Sequence, residues 1–356
     1  MFAFTPSLDH GDARRTLATL IKPHLSPLLF KNRIQRLERL NSAYLACSAP
    51  PWPAPGLCVT PEIHYQSELW LPLDGLRPHF YHLYRRALAY PPILSSTPFT
   101  DHPSWAGLVA GFPSFLSQSA NPAELLGLLQ SDDELRTKFL FWSFMPERFY
   151  GDGGDRYPRQ TVMIAEWLRR RPHSNRRLRC LDAASGDGAG TYGVARLLLE
   201  LGWTPDRFEI EGWTLEPLEA WAAAHSVFPH DPLREVGFRR WCLPVFEQKA
   251  QHSVLFRARN LDHDIPSQDN SATCHKFELI ICNGLLGGPI INRPDEMRRI
   301  VSQLGRMLTP GGLLLAADHF HGGWKQKCPQ QELRALFEMN GLTAVAAEEG
   351  IAAISR

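Results

Sequence analysis

The pattern of hydrophobic and polar positions changes near residue 176. Before that point, apolar residues recur three or four positions apart within long polar segments, which predicts helices over 13–22, 33–46 and 122–142. After it, short apolar runs alternate with segments of helical periodicity. The predicted strands are 178–184, 208–214, 254–258, 277–283 and 312–317, and the predicted helices are 190–201, 216–225, 294–308 and 330–340. We expect a last hairpin over 342–355.

Strands that alternate with helices in this way predict a parallel sheet and an α/β doubly wound fold. The expected organisation is a mainly helical N-terminal domain over 1–143, a lid loop with a linker helix over 144–175, and the α/β domain over 176–356. The loop 144–160 is rich in Gly, Arg and Tyr, which suits a lid, although a simple interdomain linker fits it equally well. Ligands of such sheets bind outside the carboxyl ends of the strands.

The stretch Leu178–Tyr192 (LRCLDAASGDGAGTY) predicts a strand, a loop of small residues and the start of a helix. Such a loop lets a ligand approach the backbone closely, and the helix N-terminus offers N–H groups. Three interpretations remain open: an ordinary tight turn, a dinucleotide fingerprint over 188–193, or the acid-led first motif of class I S-adenosylmethionine methyltransferases, with Ala in place of the first Gly. The candidate cofactor-binding residues here are Asp182, Ala184, Gly186, Asp187, Gly188 and Thr191.

Polar residues also follow the later predicted strands. Glu216 comes after the second strand, where a carboxylate could accept hydrogen bonds from both ribose hydroxyls of a nucleoside cofactor. Asn260 follows the third strand and could pair with an adenine edge, and Asn283 ends the fourth. The turn 308–312 (LTPGG) introduces the fifth strand. Together, the acid-led loop and this turn favour S-adenosylmethionine over a nicotinamide cofactor.

Residues 145–320 resemble the chemotaxis-receptor glutamate methyltransferases, the CheR family. Segment 184–187 is similar to the S-T-G-E of that family, and 232–261 resembles its stretch ending in V-x-F-x-x-x-N-L. Segment 279–283 resembles its I-x-C-R-N strand. The turn 308–312 with the later His319 is similar to its L-x-P-G-G and G-H-S-E. The resemblance covers about half of the chain and implies a Rossmann-like class I methyltransferase sheet that binds S-adenosyl-L-methionine.

The resemblance also implies roles for single residues. Asp187 would contact the cofactor, and Asn260 with Leu261 would line the adenine pocket. Arg156, about thirty residues before that loop acid, would hold the methionine carboxylate. The family's ribose-binding acid falls on Thr214, so Thr214 and Glu216 remain alternatives for that role.

Other parts of the chain depart from the family. The Tyr that borders its methyl acceptor is missing from 284–289, its small β subdomain could only be 228–253, and the N-terminal half does not match. The acceptor is therefore open between a protein carboxylate and a small molecule. A carboxylate acceptor needs no base, whereas an amine or hydroxyl acceptor could use His319 or Asp318. The 318–321 segment (DHFH) offers no third ligand at usable spacing, so we expect no metal.

The composition of the chain excludes few classes of function or location. The 356 residues carry a net charge of +1 with 44% hydrophobic residues, which is ordinary for a globular protein and predicts no nucleic-acid partner. No apolar run reaches the roughly 18 residues that span a membrane. Seven dispersed cysteines without a C-x-x-C predict free thiols in the cytoplasm. The favoured function is a cytoplasmic methyltransferase; the alternatives are a protein that binds S-adenosylmethionine without transferring methyl, and, less favoured, an NAD(P) oxidoreductase.

Overall fold

The structure is a computed structural model that describes residues 2–117, 120–145, 155–171, 176–261, 276–288, 290–317 and 328–356. It divides into two compact units. One contains Met1–Ala13 together with Glu147–Arg356, and the other contains Arg14–Pro146. Across the described ranges, none of the helices combines the length and the apolar character needed to cross a membrane.

The unit over 14–146 is mainly helical. After β1 (Ala3–Phe4) and α1 (His10–Leu17) at the start of the chain, its described helices are α2 (Lys31–Cys47), α3 (Pro61–Trp70), α4 (Leu73–Ala87), α5 (Pro98–Asp101), α6 (Trp105–Ala110), α7 (Pro122–Ser131) and α8 (Asp133–Phe144). Side-chain caps at Thr60 and Asn121 accept backbone N–H groups and precede Pro at the first helical position. Aromatic rings fill the core, where Phe80 stacks on Phe99 with centroids 4.5 Å apart.

The other unit is built on one sheet. Its elements after residue 147 are α9 (Pro158–Arg170), β2 (Leu178–Asp182), α10 (Ala189–Glu200), β3 (Phe208–Thr214), α11 (Pro217–His225), α12 (Pro232–Glu247), β4 (Val254–Ala258), β5 (Phe277–Ile281), α13 (Pro294–Met307), β6 (Leu308–Ala316), α14 (Gln330–Met339), β7 (Leu342–Val345) and β8 (Ile351–Ser355). The described strands lie in the order β1-β4-β3-β2-β5-β6-β8-β7. Strands β2 to β6 are parallel, whereas β1 is antiparallel to β4 and β8 is antiparallel to both neighbours.

This order confirms the predicted doubly wound sheet. From β2 the chain moves outward to β3 and β4 on one side, and then returns to β5 and β6 on the other, so the direction of winding changes between β2 and β5. Side chains alternate along β2. Leu181 belongs to the buried cluster with α13 and α14, and Asp182 bonds to Thr191 of α10. The carboxyl ends of β2, β3 and β5 therefore form the crevice in which ligands of such sheets bind.

Two elements differ from the sequence expectations. The segment that could have formed a β subdomain, 228–253, instead contains the helix α12. Asp231 caps this helix by accepting the Arg234 N–H, and Phe238 and Cys242 are buried on its inner face. The strand β1 is only two residues long and carries no periodic signal, yet it pairs with β4 and covers that edge of the sheet.

Candidate cofactor site

The loop after β2 is anchored to the strands on both sides. The Ala183 N–H donates to the carbonyl of Ile281 in β5 at 2.7 Å, and the Ser185 N–H donates to the carbonyl of Trp213 in β3 at 2.9 Å. These two bonds hold the loop directly over the point where the winding direction changes. The small-residue stretch singled out in the sequence therefore lies where a doubly wound sheet binds its ligand.

Asp182 joins the end of β2 to the start of α10. Its carboxylate is 5% exposed and accepts the Thr191 hydroxyl at 2.8 Å. Burial raises the pKa of Asp182 to about 6, while the bonds from Thr191 and the Ala184 backbone and the positive charge of Arg156 act to lower it.

Two glycines shape the loop. Gly186 and Gly188 have φ angles of +49° and +86°, in the left-handed region that disfavours residues with a Cβ. A Cβ on Gly188 would come within 2.7 Å of the Cβ of Ala223 in α11 and within 2.8 Å of the Phe256 ring. A Cβ on Gly186 would meet no atom within 4 Å. The loop thus packs tightly against the protein at Gly188 and is open at Gly186.

Asp187 forms a buried ion pair with a residue that is distant in the sequence. The guanidinium of Arg234 in α12 donates to its Oδ2 at 2.6 Å, and both side chains are 8% exposed. Its Oδ1 accepts the Ala189 N–H at 3.2 Å at the start of α10. The Arg234 guanidinium also lies over the Phe228 ring, 4.4 Å from its centroid. Asp187 therefore connects the loop to α12, which the resemblance did not place near the cofactor.

Three polar side chains meet at the end of β3. Thr214 donates its hydroxyl to Glu219 Oε2 at 2.5 Å, and its Oγ1 accepts the Glu216 N–H at 3.4 Å. Glu216 Oε1 accepts the Leu218 N–H at 3.1 Å and so caps α11. The sequence singles out Thr214 and Glu216 as ribose-binding candidates but not Glu219. The sequence feature that could have identified Glu219 is an acid in the first turn of the helix that follows the second predicted strand.

At the end of β5, Asn283 exchanges two amide hydrogen bonds with Gln160 of α9, at 2.8 and 3.1 Å. Glu349, in the turn between β7 and β8, accepts the N–H groups of Arg159 and Gln160 at 2.8 and 3.2 Å. These contacts fix the start of α9 next to the carboxyl ends of the strands. Gln160 could not be predicted, because it meets Asn283 only through the tertiary fold.

The remaining expected residues divide into two groups. Asn260 and Leu261 follow β4, the strand beside β3, and Leu261 lies in the buried cluster that also contains Ala183 and Trp213. The expected bases His319 and Asp318, most of the lid loop (146–154) and the linker 172–175 lie outside the described residues. The expected cofactor residues within the described ranges thus follow the ends of four neighbouring strands, except Arg156, which precedes α9.

A polar cofactor fits the described crevice. The Ser185 side chain is 6% exposed, and its hydroxyl has no hydrogen-bond partner among the described residues. A buried hydroxyl without a partner is costly, which favours a polar ligand at this loop. The start of α10, the charge of Arg156 and the carboxylate of Glu219 supply groups for the anionic and hydroxylated parts of such a ligand.

The chain matches no protein-family model and no curated protein. Among solved structures, it resembles the N-methyltransferase NodS from Bradyrhizobium japonicum WM9 in complex with S-adenosyl-l-homocysteine, at 14% identity and a TM-score of 0.36, over 62% of this chain and 97% of that one. It also resembles CalS10 with SAM bound, an amino pentose methyltransferase from Micromonospora echinaspora, at 15% identity and a TM-score of 0.36, over 57% and 94%.

A third similar structure is StiE O-MT, at 19% identity and a TM-score of 0.32. The match covers 52% of this chain, and this chain spans only 52% of the StiE chain. The structure of the chain itself shows the expected fold class: a Rossmann-like, doubly wound α/β sheet with a mainly helical N-terminal unit.

Proposed function

We propose that the chain is an S-adenosylmethionine-dependent methyltransferase whose cofactor half is similar to the CheR family. The observation that supports this most directly is the loop after β2. It lies across the switch point, leads from the buried Asp182 into α10, opens at Gly186 and holds the buried hydroxyl of Ser185 without a partner. The position of the acid Asp182 at the end of β2, directly before the loop, favours an adenosyl-sulfonium ligand over a dinucleotide.

In this proposal, each part of the crevice holds one part of the cofactor. Arg156 binds the carboxylate of the methionine moiety, the end of β3 binds the ribose, and Asn260 with Leu261 lines the adenine pocket. S-adenosylmethionine supplies an activated methyl group on a sulfonium centre. The chain contributes alignment, because in-line placement of acceptor and methyl group accounts for much of the acceleration of such a transfer.

The proposed acceptor is a protein carboxylate or a small molecule. A carboxylate is already ionised near neutral pH and needs no base. In the described part of the crevice, the Asn283 and Gln160 amides bond to each other and offer no ionisable group that could act as a base. If the acceptor is an amine or a hydroxyl, His319 or Asp318 is the proposed base. The six described cysteines are free thiols, which supports the proposal of a cytoplasmic location.

Calorimetric titration tests the cofactor assignment. S-adenosylmethionine and S-adenosylhomocysteine should bind with micromolar affinity, and NAD⁺ should not bind. Arg156→Ala should weaken both adenosyl ligands by on the order of 1–3 kcal/mol, as loss of a charged hydrogen bond does. The matched control is Arg170→Ala at the end of α9, where the side chain is 82% exposed and pairs with Glu166. Binding of NAD⁺ alone, or equal affinity in both variants and the parent chain, would contradict the proposal.

A second candidate function is a protein that binds S-adenosylmethionine or its product and acts through a partner without methyl transfer. The Asn283–Gln160 amide pair favours it, because these two side chains at the end of β5 bond to each other and offer no ionisable group that could activate an acceptor. Transfer of labelled methyl to carboxylate-bearing acceptors distinguishes the two functions. Binding without any labelled product across protein and small-molecule acceptors would favour the second candidate.

A further inference from the structure

A second acid, Glu219, bonds to the end of β3, and its hydrogen-bond partner differs from that of Glu216. Glu219, in the first turn of α11, accepts the hydroxyl of Thr214 at 2.5 Å. A threonine hydroxyl donates one hydrogen bond and accepts up to two. Its hydrogen is therefore committed to Glu219, and its oxygen can still accept from other donors. Thr214 and Glu219 together form an acceptor pair at the strand end, where the resemblance places an acid.

Glu216 is engaged differently. Its backbone is the N-cap of α11, and its own Oε1 accepts the Leu218 N–H at 3.1 Å. An N-cap carboxylate satisfies one of the helix's first N–H groups, and this contact directs it toward its own helix. Of the two acids that follow β3, Glu216 therefore starts the helix, and Glu219 is joined to the strand end itself.

The position of α11 directs Glu219 toward the glycine loop. Residues four apart share a helix face, so Glu219 lies on the same face as Ala223. Ala223 is the residue that packs against Gly188, where an added Cβ would come within 2.7 Å of it. On the strand side, the residue before Thr214 is Trp213, whose carbonyl accepts the Ser185 N–H. Both members of the pair are thus placed beside the loop by independent contacts.

We infer that Glu219 is the ribose-binding carboxylate of this protein and that Thr214 orients it; this inference rests on the proposed cofactor. A carboxylate has about four acceptor sites, so one that accepts the Thr214 hydroxyl can also accept further donors such as ribose hydroxyls. Bonds to an ionised acceptor are among the stronger ones in proteins. The ribose-binding acid would thus lie in the first turn of α11 rather than at the end of β3, where the resemblance places it and where Thr214 stands.

The test measures recognition of the ribose hydroxyls directly. Dissociation constants for S-adenosylhomocysteine and for its 2′,3′-dideoxy analogue are determined calorimetrically for the parent chain and for Glu219→Gln. The variant should bind S-adenosylhomocysteine about 10- to 100-fold more weakly, the range expected for a lost charged hydrogen bond. Its affinity for the dideoxy analogue should change by less than about threefold, because both hydroxyls that Glu219 could bind are missing there.

Three further variants complete the experiment. Thr214→Val should lose ribose discrimination as Glu219→Gln does, and Thr214→Ser should retain it, because the serine keeps the orienting hydroxyl. Thr214→Val also gives a second test should Glu219→Gln prove unfolded in a thermal scan. Glu200→Gln, a carboxylate on α10 that is 65% exposed, is the matched control and should behave like the parent chain.

The outcomes separate this inference from the proposed function. If the parent chain fails to bind S-adenosylhomocysteine, both are overturned. If the parent chain binds it and Glu219→Gln distinguishes ribose from deoxyribose as well as the parent does, only the inference about Glu219 is overturned. Loss of discrimination in Glu216→Gln, with Glu219→Gln unaffected, assigns the ribose to Glu216 and likewise overturns the inference.

Discussion

The ion pair between Asp187 and Arg234 allows a quantitative test of how the glycine loop is held. Both side chains are 8% exposed, and their closest atoms are 2.6 Å apart. Arg234→Met keeps most of the aliphatic stem but removes the charge, which leaves the Asp187 carboxylate buried without its cation. Breaking a buried pair in this way costs about 3–5 kcal/mol, because the remaining charge loses its compensation.

The cost should be visible in thermal and urea unfolding. For units of about 150–250 residues, each kcal/mol shifts the melting temperature by about 2–4 °C. Arg234→Met should therefore lower the transition of the α/β unit by about 6 °C or more. The double variant Asp187→Asn with Arg234→Met removes both charges and keeps an oxygen for the Ala189 N–H, so it should recover much of the loss.

An exposed arginine provides the control for the buried Arg234. Arg170→Met removes an arginine whose side chain is 82% exposed and whose partner is Glu166, and such surface pairs contribute about 0–1 kcal/mol. If Arg234→Met costs no more than Arg170→Met, the pair with Asp187 does not hold the loop. A double variant as unstable as the sum of the two single variants would also contradict the reasoning, because it would show no coupling between the charges.

Gly188→Ala should cost about 2–4 kcal/mol in urea unfolding, from its left-handed φ and from overlap with Ala223, and Gly186→Ala should cost only the backbone part, about 1–2 kcal/mol. Burial raises the pKa of Asp182 to about 6, so its contribution to stability is full below about pH 4 and is lost as the pH rises through about 6. Asp182→Asn should remove this contribution, about 3 kcal/mol, from the pH dependence of the melting temperature. Glu349→Ala should speed hydrogen exchange of the N–H groups at the start of α9, with a loss of about 1 kcal/mol.

Each of these expectations has a contrary result. Equal costs for the two glycine variants would show that the contact with α11 does not restrict the loop. A pH profile of Asp182→Asn that parallels the parent profile would show that this carboxyl group does not titrate between pH 4 and 6. Unchanged exchange in Glu349→Ala would show that its carboxylate does not cap α9.

The sequence predicts the sheet well because its signals are local. A buried parallel strand requires a short apolar run, and a connecting helix requires apolar residues three and four positions apart, so β2 to β6 and α10, α11, α13 and α14 can be recognised one at a time. The glycine loop is also a local feature, since its φ angles limit which residues can form it. The doubly wound fold and the Asp182–Thr191 stretch therefore follow from residues that are neighbours in sequence.

Partners of single side chains depend on the tertiary structure. Asp187 and Arg234 are 47 positions apart, and Asn283 and Gln160 are 123 apart, so no periodicity connects them. The choice between Thr214, Glu216 and Glu219 depends on how α11 leaves β3, which the Glu216 cap and the packing on Gly188 decide together. The two-residue β1 is stable only because β4 supplies its hydrogen bonds. The sequence alone determined where the strands, helices and glycine loop occur, because these arise from contacts between near neighbours. Which charges meet around that loop was decided only by the packing of distant segments.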